Sequence, residues 1–114
     1  MGLTLNWTKC QGDVWCDFHR VDLSHIHFDN LNGVYIIWSG KITIYVGSGF
    51  IRDKISENRN DIRINSYKDL KVVWAHVDEQ NLQGVEKYLA NTLLPREGER
   101  HPEVIPIAVN FPWQ

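Results

Sequence analysis

Between Gly33 and Gly47 the chain reads Gly-Val-Tyr-Ile-Ile-Trp, then Ser-Gly-Lys, then Ile-Thr-Ile-Tyr-Val-Gly. Both halves are short, rich in β-branched and aromatic residues, and bounded by glycine or turn residues. That pattern predicts two strands joined as a hairpin through Ser39-Gly40-Lys41. No other stretch constrains the fold as strongly, because the remaining segments must pack against it. Each strand carries one tyrosine, Tyr35 near the start of the first and Tyr45 near the end of the second. Antiparallel pairing brings the two phenols together at one end of the hairpin. Beside the helix expected after Gly47, they make a candidate site as well as a piece of core.

The segments after the hairpin follow helical and strand periods. Ser48 or Gly49 is the expected N-cap of a helix whose apolar stripe is Ile51, Ile55 and Ile62. Lys54 and Asn58 lie one turn apart beside that stripe, at the edge of the buried face. The Gly47-Ser48-Gly49 run matches neither a P-loop nor a dinucleotide fingerprint, so a plain strand-to-helix turn is the better reading. Lys71 to Val77 reads as a third strand. A second helix is expected from about Asn81 to Leu93, with Leu82, Val85, Leu89 and Leu93 as its stripe and Pro95 as its stop. Glu86 borders that face; an exposed acid paired with a neighbouring cation is the plainer reading of it. The proline-bearing tail (Pro95, Pro102, Pro106, Pro112) is expected to be extended, with Val104 to Val109 as an edge strand. The order β, β, α, β, α defines an α+β domain. No internal repeat or low-complexity segment is present.

The N-terminal stretch, Met1 to about Leu31, shows no clean period. Trp7, Trp15, Phe18 and Phe28 punctuate polar residues, as expected of an irregular arm laying aromatic rings across the core. Cys10, Cys16, His25 and His27 can be drawn as a zinc set, but their spacing does not fit the familiar fingers. Small buried cysteines and surface histidines are the simpler reading.

The 114 residues are expected to form one domain. Net charge is −2, which argues against an unspecific, strongly basic nucleic-acid binder. The balance is uneven: Phe50 to Lys71 holds six basic and four acidic residues, Asp78 to Glu103 three basic and six acidic. No apolar run is long enough to span a membrane. No secretory leader is read at the N-terminus, and Asn6 stands where myristoylation expects Ser or Thr. The expected compartment is the cytoplasm, with Cys10 and Cys16 as reduced thiols.

Taken together, these segments resemble the GIY-YIG nuclease family. Gly33-Val34-Tyr35 stands as the first motif and Tyr45-Val46-Gly47 as the second, at the family's spacing. A helix, a strand and a second helix bearing Glu86 come next, then Pro95 and Asn110. The resemblance covers about residue 32 to the end, so residues 1–31 would be an N-terminal extension packed on the domain formed by 32–114. It implies a small three-stranded antiparallel sheet flanked by helices. It also implies hydrolysis of nucleic-acid phosphodiesters, DNA above all, with one Mg²⁺ or Mn²⁺ ion held by Glu86. Tyr35 would help deprotonate the attacking water, Tyr45 would position water or phosphate, and Asn110 would fix the geometry near Glu86. The family's Arg and His fall at Lys54 and Asn58. Lysine lacks the planar fork that grips two phosphate oxygens, and asparagine carries no proton near neutral pH. Arg52 is out of phase with Lys54 and a poor substitute. The resemblance therefore implies either a weakened nuclease or a non-catalytic module of the same fold that binds nucleic acid or protein.

Overall fold

The computed structural model describes residues 2–98 and 103–113; Pro102, one bend of the expected tail, lies outside them. The chain forms an α+β domain with a four-stranded antiparallel sheet and three helices. Its elements are β1 (Cys16–Asp17), β2 (Asn32–Ser39), β3 (Ile42–Phe50), α1 (Ile51–Arg59), α2 (Ile62–Asn65), β4 (Leu70–His76) and α3 (Leu82–Leu93). Strand order is β1-β4-β2-β3. Three strands were expected; the fourth comes from the N-terminal segment, where Cys16 pairs with Val72 and Asp17 with Lys71. A strand of two residues is too short to show a period of two, so its sequence gives no sign of it.

β2 is central, and Gly33 through Ile37 are buried. This accounts for its almost uninterrupted apolar run, since both faces are covered. Gly33 permits the approach of β4: a Cβ there would lie 2.0 Å from the Ala75 carbonyl oxygen. The hairpin turn is tighter than expected, with Ser39 opposite Ile42 and only Gly40 and Lys41 between them. Gly40 takes a positive φ of 59°, as such two-residue turns require.

One face of the sheet is closed by α1, α2 and the stretch from Cys10 to Leu31, with Phe18, Phe28, Tyr35, Ile37, Ile55 and Ile64 among the buried side chains. The other face is closed by α3 and both ends of the chain, around Val34, Ile36, Val46, Val85 and Leu89. Two arginines of α1 clamp the N-terminal segment. Arg52 donates to the carbonyls of Leu23 and His25 and pairs with Asp29 at 2.8 Å. Arg59 donates to the carbonyls of Phe18 and Val21.

Several expectations are corrected. β3 runs on through Ser48 and Gly49 to Phe50, because these residues pair with Val34, Gly33 and Asn32. Ser48 and Gly49 therefore do not cap α1; Phe50 occupies that position without a side-chain cap bond. Ile62 is 86% exposed. The helix breaks at Asn60, Asp61 caps α2 by accepting from the Arg63 N–H, and the restarted phase turns Ile64 inward instead. Val104 to Val109 form no strand. Leu3 and Val109 make one isolated bridge, and the Ile107 N–H reaches the Gly84 carbonyl on α3. Pro106 has no N–H for a ladder. Cys10 and Cys16 are joined by a disulfide, so they are neither reduced thiols nor zinc ligands. His27 accepts from the Trp74 indole and His25 from the His27 N–H. No helix among the described residues is long and apolar enough to cross a membrane.

Candidate active site

Tyr35 and Tyr45 reach the same face through ordinary pairing plus one irregularity. Tyr35 lies opposite Gly47 and Ile37 opposite Tyr45, and the register then shifts so that Trp38 faces Thr43. The extra residue is Ile44, a β-bulge that re-aims neighbouring side chains. Ile44 and Tyr45 both pack on the α1 side of the sheet. The two phenol rings stand 5.9 Å apart at 30°. Gly47 provides the space: a Cβ there would lie 2.6 Å from the Tyr35 hydroxyl and 2.7 Å from Cζ. Gly98, at φ 113°, closes over Tyr45, where a Cβ would come within 2.9 Å of the ring. The segment that carries Gly98 is fixed to the sheet edge, with the Arg96 and Glu97 N–H groups donating to the Thr43 and Ile44 carbonyls.

Tyr35 is buried, and its hydroxyl donates to Asn58 Oδ1 at 2.5 Å. Asn58 is the buried polar side chain of α1. Burial above all, then Tyr45, then the Glu86 carboxylate, push the Tyr35 phenol well above its ordinary range, with a hydrogen bond to Tyr45 and the charge of Glu57 adding to the rise. Each of these opposes the phenolate. Tyr35 thus keeps its proton at neutral pH and cannot by itself take one from water.

Glu86 sits on α3, on the other face of the sheet. It is linked to β3 by Ser48, whose hydroxyl donates to Glu86 Oε1 at 2.5 Å. Ser48 lies opposite Val34, and alternation along β3 sends it to the α3 side. β3 is the edge strand, and Gly47 puts no side chain between the two faces there. The charge of Glu86 therefore acts on the Tyr35 phenol across the edge.

Among the sequence-derived site residues, the structure brings together Tyr35, Tyr45 and Asn58; Glu86 lies across the edge strand and reaches Tyr35 through its charge. Lys54 stands outside this group: it folds over Gly49 and pairs with Glu57 at 3.6 Å. Asn110 has a different task from the one expected. Its side chain accepts from the Leu5 N–H at 2.6 Å and donates to the Leu5 carbonyl at 3.1 Å, fastening the two ends of the chain together. Arg52 and Arg59 point away to the N-terminal segment, so neither stands in for the Arg that the resemblance expects at position 54. Ser48 was missed as a partner of Glu86, although strict alternation from Val46 gives its direction.

No group of three or more His, Cys, Asp or Glu among the described residues is arranged to hold a metal. Glu86 oriented by Ser48 is a single-carboxylate donor set. That fits a hard cation such as Mg²⁺, which keeps several waters and takes its remaining ligands from phosphate oxygens. No family model, curated protein or solved structure matches the chain.

Proposed function

We propose that this chain is a GIY-YIG-type nuclease domain, built to hydrolyse nucleic-acid phosphodiesters, DNA in the first instance, and slowed by the residues at positions 54 and 58. The supporting observation is the 2.5 Å bond from the Tyr35 hydroxyl to Asn58. The position at which the resemblance expects a histidine is the one that directly accepts from the first-motif tyrosine. A titratable acceptor there could take the phenolic proton and let Tyr35 act as a base; an amide cannot. Glu86, oriented by Ser48, would hold one Mg²⁺ or Mn²⁺ ion, and the bound ion would polarise the phosphate and stabilise the leaving oxygen. Tyr45, beside Tyr35, would orient water or phosphate. Lys54 keeps a cation on α1, paired with Glu57, but offers no fork. Loss of such a donor costs on the order of 10²–10³ in rate, and loss of a proton-transfer partner about 10²–10⁴.

A second reading, a non-catalytic module of the same fold, draws on the buried Tyr35 that retains its proton. Plasmid nicking with Mg²⁺ or Mn²⁺ separates the two. The Lys54→Arg, Asn58→His double variant is expected to cut faster than the parent, and adding Glu86→Ala is expected to abolish cutting. A double variant that is folded yet inert with either metal would leave only the non-catalytic reading.

A further inference from the structure

A groove of about 470 Å³ lies over the hairpin turn and the end of α3, away from the two phenols; Trp38, Lys41, Ile42, Thr92, Arg96 and Trp113 contribute to its lining. Trp113 is 51% exposed. It stands 6.3 Å from Trp38 at 74° and stacks on Phe111 at 5.8 Å and 6°. The series continues on both sides, from Trp38 to Trp15 at 5.2 Å and from Phe111 to Tyr88 at 5.9 Å. Trp113 is the exposed member of this series, whose other rings are partly buried against the core and hold it in place; an exposed apolar ring fixed in this way suits a binding surface. Among the described residues, the lining contains two cations and no carboxylate. No ion pair among the described residues engages Lys41 or Arg96. Both cations are held by backbone: Lys41 lies in the two-residue turn, and the Arg96 N–H is bonded to the Thr43 carbonyl at 3.1 Å.

We infer that this groove binds single-stranded nucleic acid, with unpaired bases stacking on Trp113 and Trp38 and the backbone phosphates facing Lys41 and Arg96. Flat aromatic faces beside fixed cations match a nucleotide, which offers a π-face and an anion together. A duplex does not offer this, because its base faces are already stacked on one another. Leu93, in its lining, lies two helical turns beyond Glu86, about 10 Å along α3, with buried Leu89 and Ala90 between them, so the groove is a site apart from that carboxylate. The inference goes beyond the proposed nuclease, and binding in the groove does not rest on that reading.

The test is anisotropy of a labelled oligo-dT of about 15 nucleotides, and of a duplex of equal length, in EDTA so that no cleavage occurs. The single strand is expected to bind, and the duplex at least about tenfold more weakly. Trp113→Ala is expected to weaken the single strand on the order of tenfold. Lys41→Glu with Arg96→Glu is expected to weaken it further and to flatten its salt dependence. Ile62→Ala, at an exposed position of α2, is expected to change nothing. Equal binding of duplex and single strand with no effect of Trp113→Ala would overturn the inference, as would no binding of either. Binding of a neutral oligosaccharide in place of the oligonucleotide would overturn it as well. Inert nicking variants alongside intact, Trp113-dependent binding would sink the nuclease reading and leave the groove standing.

Discussion

Tyr35 and Glu86 act on each other across one sheet edge, yet their surroundings differ. Tyr35 is sealed under α1, bonded to Asn58, and held protonated by burial and nearby charge. Glu86 is half-buried on the α3 side and accepts from the Ser48 hydroxyl of the edge strand. The face that carries Tyr35 is tightened by the Arg52 and Arg59 clamps and the Cys10–Cys16 disulfide. The face that carries Glu86 borders the exposed aromatic groove. The phenol thus belongs to the core as much as to any chemistry, whereas the carboxylate is half-buried at the edge strand. Changes near Tyr35 should therefore be felt first as stability, and changes near Glu86 first as binding.

The largest effect is expected from the glycines that let the two sides meet. Gly33→Ala drives a Cβ into the Ala75 carbonyl, a backbone atom with no rotamer to escape into. It should cost more than about 3 kcal/mol in urea unfolding. Gly47→Ala meets the Tyr35 ring instead and should cost about 1–3 kcal/mol. If Gly47→Ala is neutral, the close approach of Tyr35 to the edge strand is not what holds the phenol in place. Tyr35→Phe leaves Asn58 Oδ1 buried without its donor and should cost about 1–3 kcal/mol, read in the same unfolding experiment.

Alkaline titration probes the same contrast. Because Tyr35 holds its proton more tightly folded than unfolded, its contribution to stability is constant below about pH 10. It is lost as pH rises beyond that, since only the unfolded chain then releases the proton. Absorbance at alkaline pH should show one of the four tyrosines ionising only together with unfolding, and Tyr35→Phe should remove that step. All four ionising before unfolding would contradict the buried phenol. The smallest stability effect is expected at Ser48→Ala, about 0.5–1.5 kcal/mol. Its larger consequence should be weaker Mn²⁺ binding, measured by calorimetry, because Glu86 loses its orientation.

Much of the fold was legible because its signals are local. The hairpin, the β4 strand and the α3 stripe each carry an unbroken period; antiparallel pairing gave the nearness of the two tyrosines, but their shared face depends on the bulge. What escaped depended on contacts between distant segments. Cys16-Asp17 becomes a strand only because β4 offers an edge. Ser48-Gly49 stays in β3 because Val34 and Gly33 are opposite, which outweighs its resemblance to a cap. Ile62 was placed in the stripe by continuing one helical phase through Asn60 and Asp61, where the chain resets it. Asn110 was assigned to Glu86 by order along the chain, but the N-terminal Leu5 reaches it first. The bulge at Ile44, which sets the aim of Tyr45, has no residue signature in this hairpin.

The proposed chemistry stands or falls on a divalent ion bound at Glu86, across the edge strand from the two phenols. Mn²⁺-induced broadening of backbone amide signals locates such an ion without relying on turnover. Broadening centred on Ser48 and Glu86, reaching Tyr45 and lost in Glu86→Ala, is the expected result. Broadening centred elsewhere, for instance around Asp22 and His25, or unchanged by Glu86→Ala, would contradict it.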